Sequence, residues 1–322
     1  MLIRRSELMK VTPEEIKDIL QQYEHILLTA HVSPDGDAIG SMIGLYGCLR
    51  QWGKNTVMVI DDDIDERYDF LPSVKAIRKP ADVVTDSTWL TVILDATDPM
   101  RTGTVEELMH GKVLNIDHHI SNRHLADWEY VVPTYAAAGE VLTELFIHWH
   151  TEITQEMANA LYMAIATDCG FFKFGNTTGH TLNMAAQLVD AGAQPNIISV
   201  ALDAKCIEKI KVLAEVLQQI EVYQEGRVAG LMFTPELLAH TGEHTGEYID
   251  YVRIIQGVEI AFTIKYVAPE ETRISLRSKN VDVNKIAAVF GGGGHIRAAG
   301  ATAKFSLENT KLELLKEIAK VL

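Results

Sequence analysis

Four short polar clusters carry side chains suited to holding hard metal ions. His31-Val-Ser-Pro-Asp35-Gly-Asp37 joins an imidazole to two carboxylates. Pro34 and Gly36 stiffen and bend this stretch, so Asp35 and Asp37 can point to one centre. Pro-Asp-Gly alone also makes an ordinary polar turn. Asp95 opens Asp95-Ala-Thr-Asp98-Pro-Met-Arg101 directly after an apolar run; taken singly, it reads as a loop or helix cap. Asp117-His118-His119 sets two imidazoles beside an acid, which suits a metal ligand with a hydrogen-bonded partner, or else a surface pair. Asp168, in Ala-Thr-Asp168-Cys-Gly, closes a helix with an apolar face. The helix dipole disfavours an acid there, and a nearby cation would offset the cost; the plain alternative is a turn residue. Imidazoles with carboxylates suit Mn²⁺, Mg²⁺, Fe²⁺ or Zn²⁺.

The placement of the clusters says more than any one of them. Thr12-Pro13-Glu14-Glu15 reads as a capped helix start. The runs 25–30, 56–60, 90–94 and 113–116 read as buried strands, with a helix over 38–52. Apolar strands alternating with helices predict a parallel α/β sheet covered on both faces. Three of the clusters follow three of those strands, which brings them to one sheet edge, where open α/β sheets bind ligands. From about 136 the pattern turns helical, over 136–149, 155–167 and 181–191, and then along one connector helix over 195–223. Beyond Gly226 come strands over 227–233, 258–267 and 272–279, with Pro269-Glu-Glu as a hairpin turn. Helices over 282–290 and 308–322 complete a smaller α/β domain with a mixed sheet. The expected division is a catalytic domain over 1–193, a helical linker over 194–225 and a second domain over 226–322.

Bulk properties narrow the function classes. The chain of 322 residues has length enough for two domains and, at 47% hydrophobic and 23% charged, an ordinary globular balance. No apolar run reaches membrane-span length. The segment MLIRRSELMK lacks the apolar stretch of a secretory leader. Three cysteines without a CxxC pair point to a reducing cytoplasm rather than a disulfide framework. A formal net charge of −15 argues against gripping long duplex nucleic acid, which calls for a basic face. Carboxylate-built metal sites also make a chain acidic.

The motifs HVSPDGDAIGS (31–41), LDATDPMR (94–101), DHH (117–119) and ATDCG (166–170) resemble those of the DHH phosphoesterase family. SLRSK (275–279), DVNKIAAVFGGGGH (282–295) and AAG (298–300) resemble its DHHA1 domain. The resemblance spans nearly the whole chain, in the family's order, and is nearest to the stand-alone bacterial type acting on nano-RNA and on 3′-phosphoadenosine 5′-phosphate (pAp). It implies two Mn²⁺ ions, with Mg²⁺ or another divalent ion as substitutes. His31 and Asp35 would bind the first ion. Asp37, His118 and Asp168 would bind the second, with Asp95 bridging both. Asp117 and His119 would stand behind the ligands or face the phosphate. Asp95, Asp117, His119 and Arg101 form the expected catalytic set, Arg101 having the plain alternative of a solvated surface residue. The sequence departs from the family at Cys169, where relatives often carry Thr, and at Ile296, where Pro is common. Neither change removes a ligand.

The implied reaction is two-metal hydrolysis, with hydroxide generated at the cations attacking phosphorus. It would degrade very short oligoribonucleotides to mononucleotides and convert pAp to AMP. Between Arg273 and Lys304 stand six basic residues against the single acid Asp282. Arg273, Arg277, Ser278, Gly292, Gly293, Gly294 and His295 are expected to hold the substrate's terminal phosphate, since consecutive glycines let a backbone approach it. Catalysis in one domain and phosphate binding in the other implies a length ruler. A homodimer fits the family. The alternatives are a phosphodiesterase for cyclic or linear di-adenylate, an inorganic pyrophosphatase (disfavoured by the GGGGH element) and a non-catalytic nucleotide sensor, which has no use for a full ligand set. The acidic run Asp61–Glu66 lacks the glycine and closing Glu of a calcium loop and reads as a solvated patch. His148 and His150 read as surface residues, Cys169 as a core or near-site thiol, and the Met157–Ile165 stretch as core or subunit interface.

Overall fold

The computed structural model describes residues 9–242 and 245–322. The basic segment 1–8, read above as carrying no leader, lies outside them. The chain forms two compact units, Met1–Ala204 and Lys205–Leu322.

The first unit opens with β1 (Met9–Lys10) and α1 (Pro13–Gln22), started by a capping box between Thr12 and Glu15. Next come β2 (His25–Thr29), α2 (Gly36–Gln51), β3 (Asn55–Val59), β4 (Ile77–Arg78), β5 (Leu90–Leu94), β6 (Lys112–Asp117) and β7 (Trp128–Val131). Then follow α3 (Ala138–His148), α4 (Gln155–Asp168), α5 (Gly179–Asp190) and α6 (Pro195–Asp203). All seven strands are parallel, in the order β1-β7-β6-β5-β2-β3-β4. The alternation of a pleated strand sorts the apolar side chains. Ile26, Leu28, Val92, Leu94, Leu114 and Ile116 face the side packed by α2, α3 and α4. On the other side Leu27 and Val59 pack with Val83 and Val105, and Ile93 with Val113. Short 3₁₀ segments, Pro80–Asp82 and Pro99–Leu108, stand by that second face. The chain builds outward from β2 through β3 to β4, then returns to β5 on the other side of β2. That reversal opens a crevice at the carboxyl ends of β2 and β5.

The second unit holds α7 (Ile207–Gln218), β8 (Glu221–Tyr223), β9 (Val228–Phe233), α8 (Pro235–Thr241), α9 (Tyr248–Arg253), β10 (Ile260–Ala268) and β11 (Glu271–Ser278). It ends with α10 (Val283–Val289), β12 (Gly293–His295), β13 (Ala298–Ala303) and α11 (Leu307–Ala319). Its mixed sheet runs β12-β13-β11-β10-β9-β8, with β9 and β10 parallel and the other pairs antiparallel. Phe262, Ile274 and Leu276 face one core; Leu231 and Phe233 face another with α7, α8 and α9.

One expectation is corrected. The connector over 195–223 is not one helix: α6 ends at Asp203, the backbone is extended at Ala204 and Cys206, and α7 stops short of β8. Ala and Lys are good helix formers, so residue type gives no sign of the break. The glycine run is built into the sheet: Gly293 and Gly294 pair with Gly300 and Ala299 in an edge strand. A Cβ on Gly292 would lie 2.1 Å from the Gly300 carbonyl oxygen. No helix among the described residues is long and apolar enough to cross a membrane.

Candidate metal centre

The loop after β2 begins with His31, whose Nδ1 lies 2.8 Å from the Val32 carbonyl oxygen. That bond leaves Nε2 facing Asp95 Oδ2 at 3.5 Å and Asp35 Oδ1 at 3.9 Å. Asp35 caps α2, its Oδ1 accepting from the amides of Asp37 and Ala38. Asp37, in the first turn, is buried; Ala138 N donates to its Oδ2 at 2.7 Å and Gly139 N to its Oδ1 at 2.9 Å. Asp95 follows β5 with φ +52°, a left-handed conformation that costs a non-glycine residue energy and clusters at functional sites.

His118 follows β6. Its Nδ1 is 3.2 Å from the Tyr135 carbonyl oxygen, which turns Nε2 toward three carboxylates. Those are Asp95 Oδ1 at 3.4 Å, Asp168 Oδ2 at 3.5 Å and Asp37 Oδ2 at 3.7 Å. The donor atoms of His31, Asp35 and Asp95 lie within 4.8 Å of one another, and so do those of Asp37, His118 and Asp168. Asp95 thus offers one oxygen to each imidazole.

Asp117 stands behind this cluster. It is fully buried and accepts from His118 N, His119 N, Asn122 Nδ2 and the His119 ring, the last at 2.7 Å. It orients His119, whose half-exposed ring has Nδ1 3.6 Å from Asp95 Oδ1. The Arg101 side chain is exposed, and its carbonyl accepts from Val32 N.

Electrostatics set the centre apart from a surface cluster. Burial pushes the His31 imidazole down, but Asp95, the Val32 carbonyl and Asp35 outweigh it and raise the group to about 9. His118, likewise opposed by burial, is raised by Asp95, Asp37 and Asp168 to about 10. Burial drives the Asp37 carboxyl well up and Asp168 to about 6, with Asp95 repelling both. Burial also pushes Asp95 up, yet the His118 and His31 imidazoles hold it below its ordinary value. Two imidazoles are too little countercharge for four carboxylates this crowded, Asp35, Asp37, Asp95 and Asp168. Asp95 Oδ1 is buried and makes no hydrogen bond among the described residues. An orphaned buried oxygen beside imidazole nitrogens and other carboxylates fits divalent cations.

In the second unit, His295, Ala298 and Arg277 stand opposite one another across β12, β13 and β11. They therefore share a sheet face. Gly293, Gly300 and Ser275 form the next row, and Arg273 lies beyond, opposite Thr302 and Lys265. Arg273 lines a groove of about 490 Å³ with Lys265 and α8, apart from the His295 row. Ser278 faces away: it is 7% exposed, and its hydroxyl donates to the Val281 carbonyl.

Sequence reading passed over several supports of the centre. The acidic run is not simply solvated. Asp61 accepts from Thr104 N and Oγ1, and Asp62 from Ser33 N inside the ligand loop. Asn122, which clamps Asp117, and Tyr135, which orients His118, carried no motif signal. Asn122 acts through its side chain from five residues away, outside any motif, and Tyr135 acts through its main-chain carbonyl.

The chain matches the models of the DHH family N-terminal domain over residues 25–165 and of the DHHA1 domain over 236–322. It is 32% identical over 293 residues to the bifunctional oligoribonuclease and PAP phosphatase NrnA of Thermus thermophilus, covering 90% of this chain and 87% of that one. The Bacillus subtilis protein of the same description is 24% identical, covering 89% and 92%. Among solved structures, an exopolyphosphatase-related protein from Bacteroides fragilis superposes with TM-score 0.86 at 21% identity, covering 96% and 95%. Its fold is the same. With the motifs, the two domain matches and the Thermus relative in agreement, the chain belongs to the DHH family of phosphoesterases.

Proposed function

We propose that the chain is a phosphohydrolase that releases mononucleotides from very short oligoribonucleotides and dephosphorylates pAp to AMP. Two divalent cations, Mn²⁺ in the first place, would be held by His31 and Asp35 on one side and by Asp37, His118 and Asp168 on the other. Asp95 would be shared between them. The observation carrying this reading is Asp95, whose two oxygens face two separate imidazoles at 3.5 and 3.4 Å. Bound there, such cations lower the pKa of water and draw charge from phosphoryl oxygens.

The side chains supply the remainder. The Val32 and Tyr135 carbonyls fix the two imidazoles with Nε2 inward. Asp117 raises the His119 imidazole above its ordinary value and holds its Nδ1, leaving Nε2 to donate to a phosphoryl oxygen. Arg101 adds charge from the loop after Asp95. In the second unit, Arg277 and His295 share a face at a spacing of about 10 Å, two strand separations. They take the terminal phosphate, with the amides of Gly292–Gly294 beside them. The names of the Thermus and Bacillus relatives support this substrate class. A reducing cytoplasm suits three unpaired cysteines, and a homodimer remains the family expectation.

The test is a product time course with Mn²⁺ on end-labelled oligoribonucleotides of graded length, with pAp and cyclic di-adenylate alongside. Turnover concentrated on the shortest oligomers and pAp is expected. Turnover of cyclic di-adenylate alone would overturn the substrate assignment.

A further inference from the structure

The stretch Tyr135–Gly139, a loop running into the first turn of α3, touches two proposed ligands of one cation position directly and the main chain of a third through Asn176. The Tyr135 carbonyl holds His118, and the Ala138 and Gly139 amides hold Asp37. Asn176 Nδ2 bridges the Ala136 carbonyl at 3.5 Å and the Asp168 carbonyl at 3.2 Å. The other position is supported differently: His31 leans on Val32, and Asp35 on the first turn of α2.

This loop has neither helix nor strand of its own over 133–137. A buried polar frame fixes it. Glu140 is fully buried; its Oε2 accepts from Ala136 N at 2.7 Å, and its Oε1 accepts from His180 Nδ1 at 2.6 Å. Thr181 Oγ1 also donates to Glu140. The Tyr135 ring stacks on His180 with centroids 4.5 Å apart, and its hydroxyl donates to Glu144 at 2.7 Å. Glu144 in turn lies 3.5 Å from His180 Nε2. Burying a carboxylate is costly unless such partners surround it. A buried Glu at the start of α3 has a structural use as a cap, but that use requires neither His180 nor the tyrosine stack.

We propose that Glu140 and His180 are positioning residues for the Asp37–His118–Asp168 cation position, acting through the Tyr135–Gly139 backbone, while the His31–Asp35 position does not depend on them. The inference rests on the two-cation reading above. Hydrogen-bonding partners behind metal ligands change affinity by about 10–100-fold when removed.

The test is titration of the metal-free chain with Mn²⁺, following the free ion by electron paramagnetic resonance, with thermal melting in parallel. Wild type should bind two ions. In His180→Ala one dissociation constant should rise about 10–100-fold and the other stay put. His180→Asn, whose amide nitrogen takes the place of Nδ1, should restore most of the loss. Tyr135→Phe removes only the hydroxyl bond, so it serves if His180→Ala fails to fold; it should weaken the same position, less severely. Two constants rising together, or a lower melting temperature with both constants unchanged, overturns the positioning role. A wild type that binds one ion overturns the two-cation reading itself, and this inference with it.

Discussion

Asp95 concentrates the chemistry of the molecule in one side chain. It is buried, left-handed in φ, shared between His31 and His118, and short of a hydrogen bond on Oδ1. Asp95→Ala should leave the fold intact and lower hydrolysis at least about a thousandfold, since several kcal/mol of transition-state charge stabilisation would go. Turnover within tenfold of wild type, with an unchanged circular dichroism spectrum, would refute the bridging role. The imidazoles add a pH prediction with a definite sign. In the metal-free chain His31 and His118 keep their protons up to about 9 and about 10. A cation needs the neutral ring and must displace those protons. Mn²⁺ affinity should therefore tighten as pH rises from 6 to 8, by up to about tenfold per unit for each proton displaced. Calorimetry showing equal affinity across that range would contradict the protonated starting state.

The helices decide whether these residues meet. Asp37 stands in the first turn of α2 and Asp168 in the last turn of α4, and these helices pack along most of their length. Gly40 makes the approach possible: a Cβ there would lie 2.2 Å from the Ala160 carbonyl oxygen and 2.9 Å from Ala164 Cβ. Gly40→Ala must push the helices apart, which costs about 1–3 kcal/mol. It should lower the melting temperature by several degrees and weaken Mn²⁺ binding together. A melt identical to wild type would mean that the packing yields without strain. Elements of this kind were legible where periodicity and chemistry agreed. Strands β2, β3, β5 and β6 announced themselves as apolar runs, and the ends of β2, β5 and β6 named all the ligands but Asp168. The strands β1, β4, β7, β12 and β13 did not. Some are only two or three residues long, and β12 and β13 are rich in glycine and alanine, which carry no strand pattern. The Tyr135–Gly139 stretch, where a loop enters α3, was illegible for another reason, because its work is done by carbonyls and amides that every residue possesses.

Charge is the property that only the whole molecule has. The chain carries −15, and two bound divalent cations would still leave about −11. The basic run from Arg273 to Lys304 is local, and part of it is already paired: Lys285 with Asp282, Lys304 with Glu271. A trinucleotide brings only about two phosphates, few enough for a small basic patch. A duplex of 20 base pairs carries about 40 charges along its axis and needs a continuous basic face to release its counterions. Repulsion from the acidic remainder acts over a Debye length of about 8 Å at physiological salt, which is enough to oppose any phosphate lying outside the small basic patch. A large excess of such a duplex should therefore leave trinucleotide turnover unchanged at physiological salt. Lowering the salt should not induce inhibition, because weaker screening strengthens the repulsion as well as the attraction. Competition by the duplex at concentrations near those of the trinucleotide would show that this acidic chain has a binding face for extended nucleic acid after all.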